Sequence, residues 1–467
     1  MARYRNLVVR VGTLAVAAAI ALTFAACGGN STSTPAPSSP SSDPAVTVIG
    51  DTPMTNALSA QVTISAVDAI TSGGQVSLLT APTVIELSQL GGVREPLSLN
   101  SITVGTYTGV SVTVSAARIT YLDSTGAVQT ASASISNGTA SYTFPAALTA
   151  QNNTGVDLRL DFDLADSFQI DSNNNVTFTP DITGAMADIK DGTSDDLHVR
   201  AAGAVTATTA SSITLAMFDS GASITFNTNG STVFNDNTQL SSIQTGSMVY
   251  IYGQIQTDGS YLAIEVDPVN LGAKFGAGSY SAAGAGRVYA VSTDGSGNLS
   301  SFQLVTYTNF AAGEIGHAVT VNVTGSTNYI YDHRAAKAGV TGFTSAQIFP
   351  GQTVAFAGAS SDGGNTVTAL GVRLAAQFVY GPLGGAITGT APNLIFPISL
   401  APLTIFAKLS EGTAVTVNTS SITRYGDALG ALGLQSISNS QSLDVRGFIA
   451  SSTGLFTSYA LRVDQHQ

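Results

Sequence analysis

The chain is poor in sulfur and in charge. Of its 467 residues one is cysteine, none is tryptophan, and only 10% are Asp, Glu, Lys or Arg. A lone cysteine excludes an intramolecular disulfide framework, so stability must come from packing. Sparse charge raises the question of membrane spans. After the first 25 residues, however, no run approaches the roughly 18 consecutive apolar residues a spanning helix needs. Beyond that point polarity comes from hydroxyls and amides rather than ions. Basic residues are few: 17 Lys and Arg stand against 29 Asp and Glu, a net charge of −12. That balance argues against nucleic acid, whose phosphates demand a basic face, and against electrostatic docking on anionic lipid. Aromatics at 7% make a rich carbohydrate-stacking platform a poor expectation, although tyrosines remain available for one.

What is present begins with an address. Arg3, Arg5 and Arg10 form a positive segment, and residues 11–24 form an apolar segment of signal-peptide length. Phe24-Ala25-Ala26-Cys27 then resembles a bacterial lipobox, with Phe24 standing where Leu, Val or Ile is usual. This implies a lipoprotein signal peptide over 1–26 and a mature N-terminus at Cys27 carrying a thioether-linked diacylglycerol. Two or more acyl chains hold a protein stably at a membrane, so the single thiol is expected to be consumed as an anchor. The alternative is an ordinary signal peptide with an incidental cysteine. Gly28, where Asp would favour inner-membrane retention, points to the outer membrane of a bacterial cell envelope. The Ser/Thr/Pro-rich remainder of 27–45 reads as a flexible tether.

From 46 to 190 hydrophobic residues alternate with polar ones. Val62, Ile64 and Ala66 share one face of an expected strand, as do Val110, Val112 and Val114. Leu158, Leu160, Phe162 and Leu164 point inward, with Asp157, Arg159, Asp161 and Asp163 outward. Period two means half-buried strands, and turn residues between them give the spacing of a sandwich. "PTVIELSQLGG", then "ITVGTYTGVSVTVSAARITYLD", then "LDFDLADSFQI" closing on "VTFTPDI" resembles a family of bacterial lipoprotein domains, domain-of-unknown-function family 4382. The resemblance implies an immunoglobulin- or prealbumin-like β-sandwich and no established activity.

A pattern then recurs three times, over 200–270, 284–376 and 383–467. Each unit opens on Gly-x-[Val/Ile] at Gly203, Gly286 and Gly385, and carries a middle strand ("SITFNT", "AVTVNV", "AVTVNT"). Each ends in a hairpin containing Gly253, Gly358 or Gly447. A glycine inside a strand marks a bulge or sharp bend, which a small barrel needs to turn its corners. The segments "QLSSIQTG", "GFTSAQIFPG" and "LGLQSISNS" before each hairpin are expected to make a helical turn. The fold class is therefore all-β: a sandwich followed by three OB-like small β-barrels. These units resemble secreted small-barrel repeats, domain-of-unknown-function family 5666.

Chemistry-bearing residues are scattered. Asp161 and Asp163 are two apart on one strand, which suits solvated charges better than a pair of acids flanking a cleft. "DSNNN" at 171–175 spaces oxygens as a calcium loop does, but Val176 stands where the glycine belongs, so a turn explains it better. Asp188, Asp191, Asp195 and Asp196 form a denser acidic knot: a solvated linker, with interdomain calcium as the sharper reading. Residues 271–287 are glycine-rich without the lysine-threonine ending of a phosphate-binding loop, and read as a linker. His198, His317, His333 and His466 are not spaced as metal ligands, and no Gly-x-Ser-x-Gly elbow occurs. No cofactor is expected beyond the lipid on Cys27. The leading expectation is a non-catalytic, lipid-anchored envelope protein, an elongated train of four β domains serving as structural, adhesion or ligand-binding scaffold. Its partners are the membrane and an extracellular glycan or envelope protein. One alternative is a glycan-binding lipoprotein in which exposed Tyr250, Tyr252 and Tyr261 stack on sugars. The other is a hydrolase with a spatially assembled site.

Overall fold

Alternating apolar residues can bury one strand face only if another layer covers it, and the first module solves this with two main sheets and a small third one of Phe168–Ile170, Val176–Phe178 and Ser134–Ile135. The computed structural model describes residues 42–52, 56–151, 154–189, 197–235, 238–269, 280–310, 314–401, 404–426, 429, 434, 441–452 and 454–465. Among these, strands make up nearly all regular structure, and the α-helices His333–Ala338 and Ile405–Ser410 have 6 residues each. The protein is all-β. No helix among the described residues is long and apolar enough to cross a membrane.

In the first sheet, strands run in the order Ile182–Asp188, Val156–Asp163, Ser42–Thr52, Glu95–Thr103. The second is built on the long pair Ala57–Thr71 and Gly105–Leu122. One apolar core joins them. Leu158, Leu160, Phe162 and Leu164 all lie in it, as do Val110, Val112 and Val114. Two expectations on these strands need correction. Ala66 is not on the core face, because the pairing slips between Ile64 and Ala66 and hands the inward positions to Val67 and Ala69. Asp157 does not face solvent: it is 1% exposed, and its Oδ2 accepts from Nε of Arg159 at 2.6 Å.

Each later unit folds five strands into a ring. In the first barrel these are His198–Thr208, Ser212–Met217, Ser223–Asn227, Met248–Ile255 and Tyr261–Pro268. The first strand pairs antiparallel with the second and fourth, and the third closes on the fifth in parallel. The second barrel repeats this with Ala282–Thr293, Leu299–Asn309, Ala318–Asn322, Thr353–Ala359 and Thr366–Leu374. The third uses Gln377–Pro382, Asn393–Ser399, Ala414–Asn418, Ser442–Ser452 and Leu455–Gln465. Its first and second strands are joined only by the isolated bridge Leu383–Ile398, so this ring is partly open.

The repeated glycines do what their position implies. The fourth–fifth strand register slips between Tyr252 and Gly253, between Ala357 and Gly358, and between Arg446 and Gly447. The expected helical turns are the 3-10 segments Leu240–Ser242 and Ser345–Gln347; the third falls largely outside the described residues. The opening glycine of the third unit is corrected from Gly385 to Gly381. The first strand is Gln377–Pro382, ahead of 383, and Gly381 packs against the Ser399 carbonyl as Gly203 packs against that of Ala216.

The expected elongated train is also overturned. Residues 40–467 form one compact unit, and side-chain or backbone contacts cross the junctions. Phe448 and Leu461 of the third barrel belong to the core of the second. Phe349 of the second lies 6.1 Å from Phe406 and 5.0 Å from Phe456 of the third, between ring centroids. Thr120 Oγ1 of the first module donates to Gly316 O of the second barrel at 2.6 Å. Gly155 N donates to Thr257 O of the first barrel at 2.8 Å.

Candidate functional site at the junction of the modules

In a strand, residues flanking an inward position face outward. Val249 and Ile251 are in the core of the first barrel, so Tyr250 and Tyr252 stand on its outer face. Counting back one and three residues from the bulge glycines gives the equivalent positions Ala357 and Ala355 in the second barrel, and Arg446 and Asp444 in the third. These outer faces converge. They enclose a chamber of about 50 Å³, lined by Arg200, Tyr250, Tyr252 and Asp267 of the first barrel. Tyr307, Asp332 and Arg373 of the second barrel and Arg446 of the third complete its polar wall.

Arg373 is its strongest fixed point. Its Nη2 donates to Oδ2 of Asp267 and to Oδ2 of Asp332, each at 2.6 Å. Burial alone would favour losing the proton, but the two carboxylates outweigh it and raise the guanidinium above its ordinary value. Asp332 also serves as a helix cap, because its Oδ1 accepts from Ala335 N at 2.7 Å at the start of His333–Ala338. Beside it, Glu265 accepts from Asn235 Nδ2 at 2.6 Å and pairs with Arg334 at 3.3 Å. The Arg334 guanidinium lies 3.6 Å from the centroid of the Tyr252 ring, within cation–π range. Arg200 lies 5.1 Å from the Tyr250 ring centroid.

Arg446 is held differently. Its Nη1 donates to the backbone carbonyls of Gln89 at 3.2 Å and Gly91 at 2.8 Å, reaching into the first module. Burial, followed by the charge of Arg200, pushes this guanidinium down to about 9. Burial pushes the Tyr250 hydroxyl up to about 12, so it stays a donor. At the edge of the cluster Glu95 of the first module meets Asp219 of the first barrel. Burial raises both, and the charge of Asp219 raises Glu95 further.

The sequence-derived candidates fall out unevenly. Tyr261 is 0% exposed, packed 5.3 Å from the Phe226 ring in the barrel core, and is no stacking platform. Tyr250 and Tyr252 line the chamber, covered by Phe310 and Arg334. Asp188 ends its strand, while Asp191, Asp195, Asp196, Cys27 and His466 lie outside the described residues. No group of three or more His, Cys, Asp or Glu among the described residues could hold a metal ion. Asp171 spends its oxygens on Asn173 N, Asn175 N and Asn175 Nδ2, closing a turn. Asp163 caps the short helix Leu164–Ser167. His317 binds Glu314 at 2.7 Å, and His333 lies 3.2 Å from Glu265, too poorly aligned for a hydrogen bond.

Periodicity and motif spacing do not single out the chamber arginines. A signal for them exists nonetheless: Val199-Arg200, Val372-Arg373 and Val445-Arg446 repeat a Val-Arg step inside apolar strands of a chain with 17 basic residues.

Two family models match the chain. Residues 46–180 match the model for a domain of unknown function, DUF4382. Residues 202–267 match that of a second, DUF5666. The two occur in the expected order, sandwich region first. No curated protein matches the sequence. Among solved structures, the drosophila Unr fragment CSD456 covers 58% of this chain and 98% of its own at 8% identity, with a TM-score of 0.14. So low a score carries no argument about fold or function. The chamber is built by the first barrel, which contains the DUF5666 match, together with the two barrels that follow it, and the DUF4382 match contains the carbonyls that hold Arg446.

Proposed function

We propose that this is a non-catalytic, lipid-anchored protein of the bacterial cell envelope, sorted to the outer membrane, whose four β modules act as one rigid scaffold for binding or for envelope structure. The observation that carries the scaffold reading is the Arg373–Asp267 pair. Parting the barrels would break the short Arg373–Asp267 contact across a boundary that solvent barely reaches, which favours a fixed arrangement over hinged arms. The non-catalytic reading is supported by how the two carboxylates of the chamber are used. Asp267 and Asp332 are both bound to Arg373, so neither is available as a general base. The anchor rests on the lipobox-like Phe24-Ala25-Ala26-Cys27. Glycan stacking has no comparable support, because its three tyrosines are buried or covered by other modules.

The test is mass spectrometry of the mature N-terminus with membrane fractionation of a Cys27→Ser variant. Diacylglycerol mass on Cys27 and release of the variant from membranes are expected. An unmodified N-terminus elsewhere, with the variant fractionating unchanged, overturns the anchor. Turnover of a glycan, peptide or ester substrate abolished by one substitution overturns the non-catalytic reading.

A further inference from the structure

We propose that the junction chamber is a binding site for a small inorganic anion, held between Arg200 and Arg446. The polar wall contains three guanidinium groups and two carboxylates, and both carboxylates contact the same nitrogen of Arg373. Arg373 is thereby satisfied, and the wall keeps an excess of positive charge at the other two arginines. Arg446 meets only neutral backbone carbonyls through Nη1, and Arg200 lies against the face of a neutral tyrosine. Glu95, the carboxyl nearest in effect to Arg200, is itself pushed well above the usual carboxylate range by burial and by the charge of Asp219, which weakens it as a counter-charge. Two like charges at low dielectric repel strongly, and a counter-charge between them removes that cost.

Size and lining fit the same class of ligand. A volume of about 50 Å³ is far below the roughly 300–1,000 Å³ of organic-ligand pockets, yet well above the roughly 10–15 Å³ that admits one water. A halide or a small oxyanion fits these limits. Tyr250, Tyr252 and Tyr307 place hydroxyl-bearing side chains in the same wall. Ala375 and Ala376 in the lining are only half-buried. Because the guanidiniums come from different barrels, an anion here would also fasten the first barrel to the third.

The test uses the full mature protein. Crystals grown in sodium bromide are measured at the bromine edge, and thermal melting is followed in bromide and in inorganic phosphate. Sodium gluconate at matched ionic strength serves as an anion too large for the chamber. A bromide peak in contact with Arg200 and Arg446 is expected, with a saturable rise in Tm that gluconate does not reproduce. Phosphate acting at lower concentration than bromide would identify an oxyanion site, and the reverse order a halide site. Arg446→Gln is expected to weaken the apparent affinity at least tenfold. Should that variant fail to fold, Arg200→Gln, at a half-buried position, carries the same readout. A chamber that holds only water, or a bromide response unchanged in the arginine variants, overturns the proposal.

Discussion

One nitrogen of Arg373, Nη2, sits 2.6 Å from Oδ2 of Asp267, tying the second barrel to the first through a contact that solvent barely reaches. Removing one partner of such a pair strands the other. Arg373→Met takes from Asp267 and Asp332 the guanidinium they share and is expected to cost about 3–5 kcal/mol. Asp267→Asn in the Arg373→Met background should cost much less than the sum of the single changes, which a double-mutant cycle in urea would measure. Additive costs would show that the two residues do not act as a unit.

The buried acids set an unusual pH response. Glu86, Glu95 and Asp219 have folded-state pKa values raised chiefly by burial, from ordinary values of 4.5, 4.5 and 3.8. Their contribution to stability is therefore complete below those ordinary values and is lost as pH rises through the folded ones. Exposed Asp171 and Asp294, held below the usual carboxylate range by turn hydrogen bonds, act in the opposite sense: their contribution is present above 3.8 and fades as pH falls. The urea midpoint is expected to be higher near pH 5 than at pH 8. Glu95→Gln should raise the midpoint at pH 8 and flatten that slope. A midpoint that climbs steadily from pH 5 to 8 would contradict the burial argument.

The bulge glycines are set by close approach. A Cβ on Gly447 would stand 2.5 Å from the Tyr459 carbonyl oxygen, and one on Gly358 would collide with the Thr368 carbonyl. Backbone atoms of the paired strand cannot step aside, so Gly358→Ala and Gly447→Ala are each expected to cost about 1–3 kcal/mol. Gly295→Ala, with nothing within 4 Å, is the matched control and should change stability by less than about 0.5 kcal/mol. Equal effects at all three sites, by chemical denaturation, would refute the assignment.

Phe349 links the second and third barrels through the rings of Phe406 and Phe456. Because it is only half-buried, Phe349→Ala should cost somewhat less than a full core truncation, about 2 kcal/mol. Hydrogen exchange should accelerate in Ser442–Ser452 and Leu455–Gln465 before it does in the first module. Uniform acceleration across all modules would place the weak point elsewhere.

Strands and bulges are legible in the sequence because they are local. The inward row Leu158, Leu160, Phe162 and the middle strand "AVTVNV" declare their period in the residues themselves. Tyr261 departs from its expected exposure for a local reason too. The slip at Gly253 pairs that residue with Ala263 while Tyr252 pairs with Glu265, so one extra residue reverses the alternation and turns Tyr261 inward. The chamber is illegible for a different cause. Tyr250, Tyr252 and Arg446 occupy outer faces, and an outer face reads as solvent-exposed until another module covers it. Only contacts between residues such as Arg446 and Gln89, 357 positions apart, turn those surfaces into an interior. No periodicity encodes that.

The strand Ser42–Thr52 occupies an inner position in its sheet, parallel to Val156–Asp163 on one side and antiparallel to Glu95–Thr103 on the other. Any tension arriving through the chain that precedes Ser42 is directed along this strand. The load then falls sideways on two ladders at once, so their bonds must yield together rather than open one by one from a free edge. A load applied at that end is shared between a parallel and an antiparallel ladder.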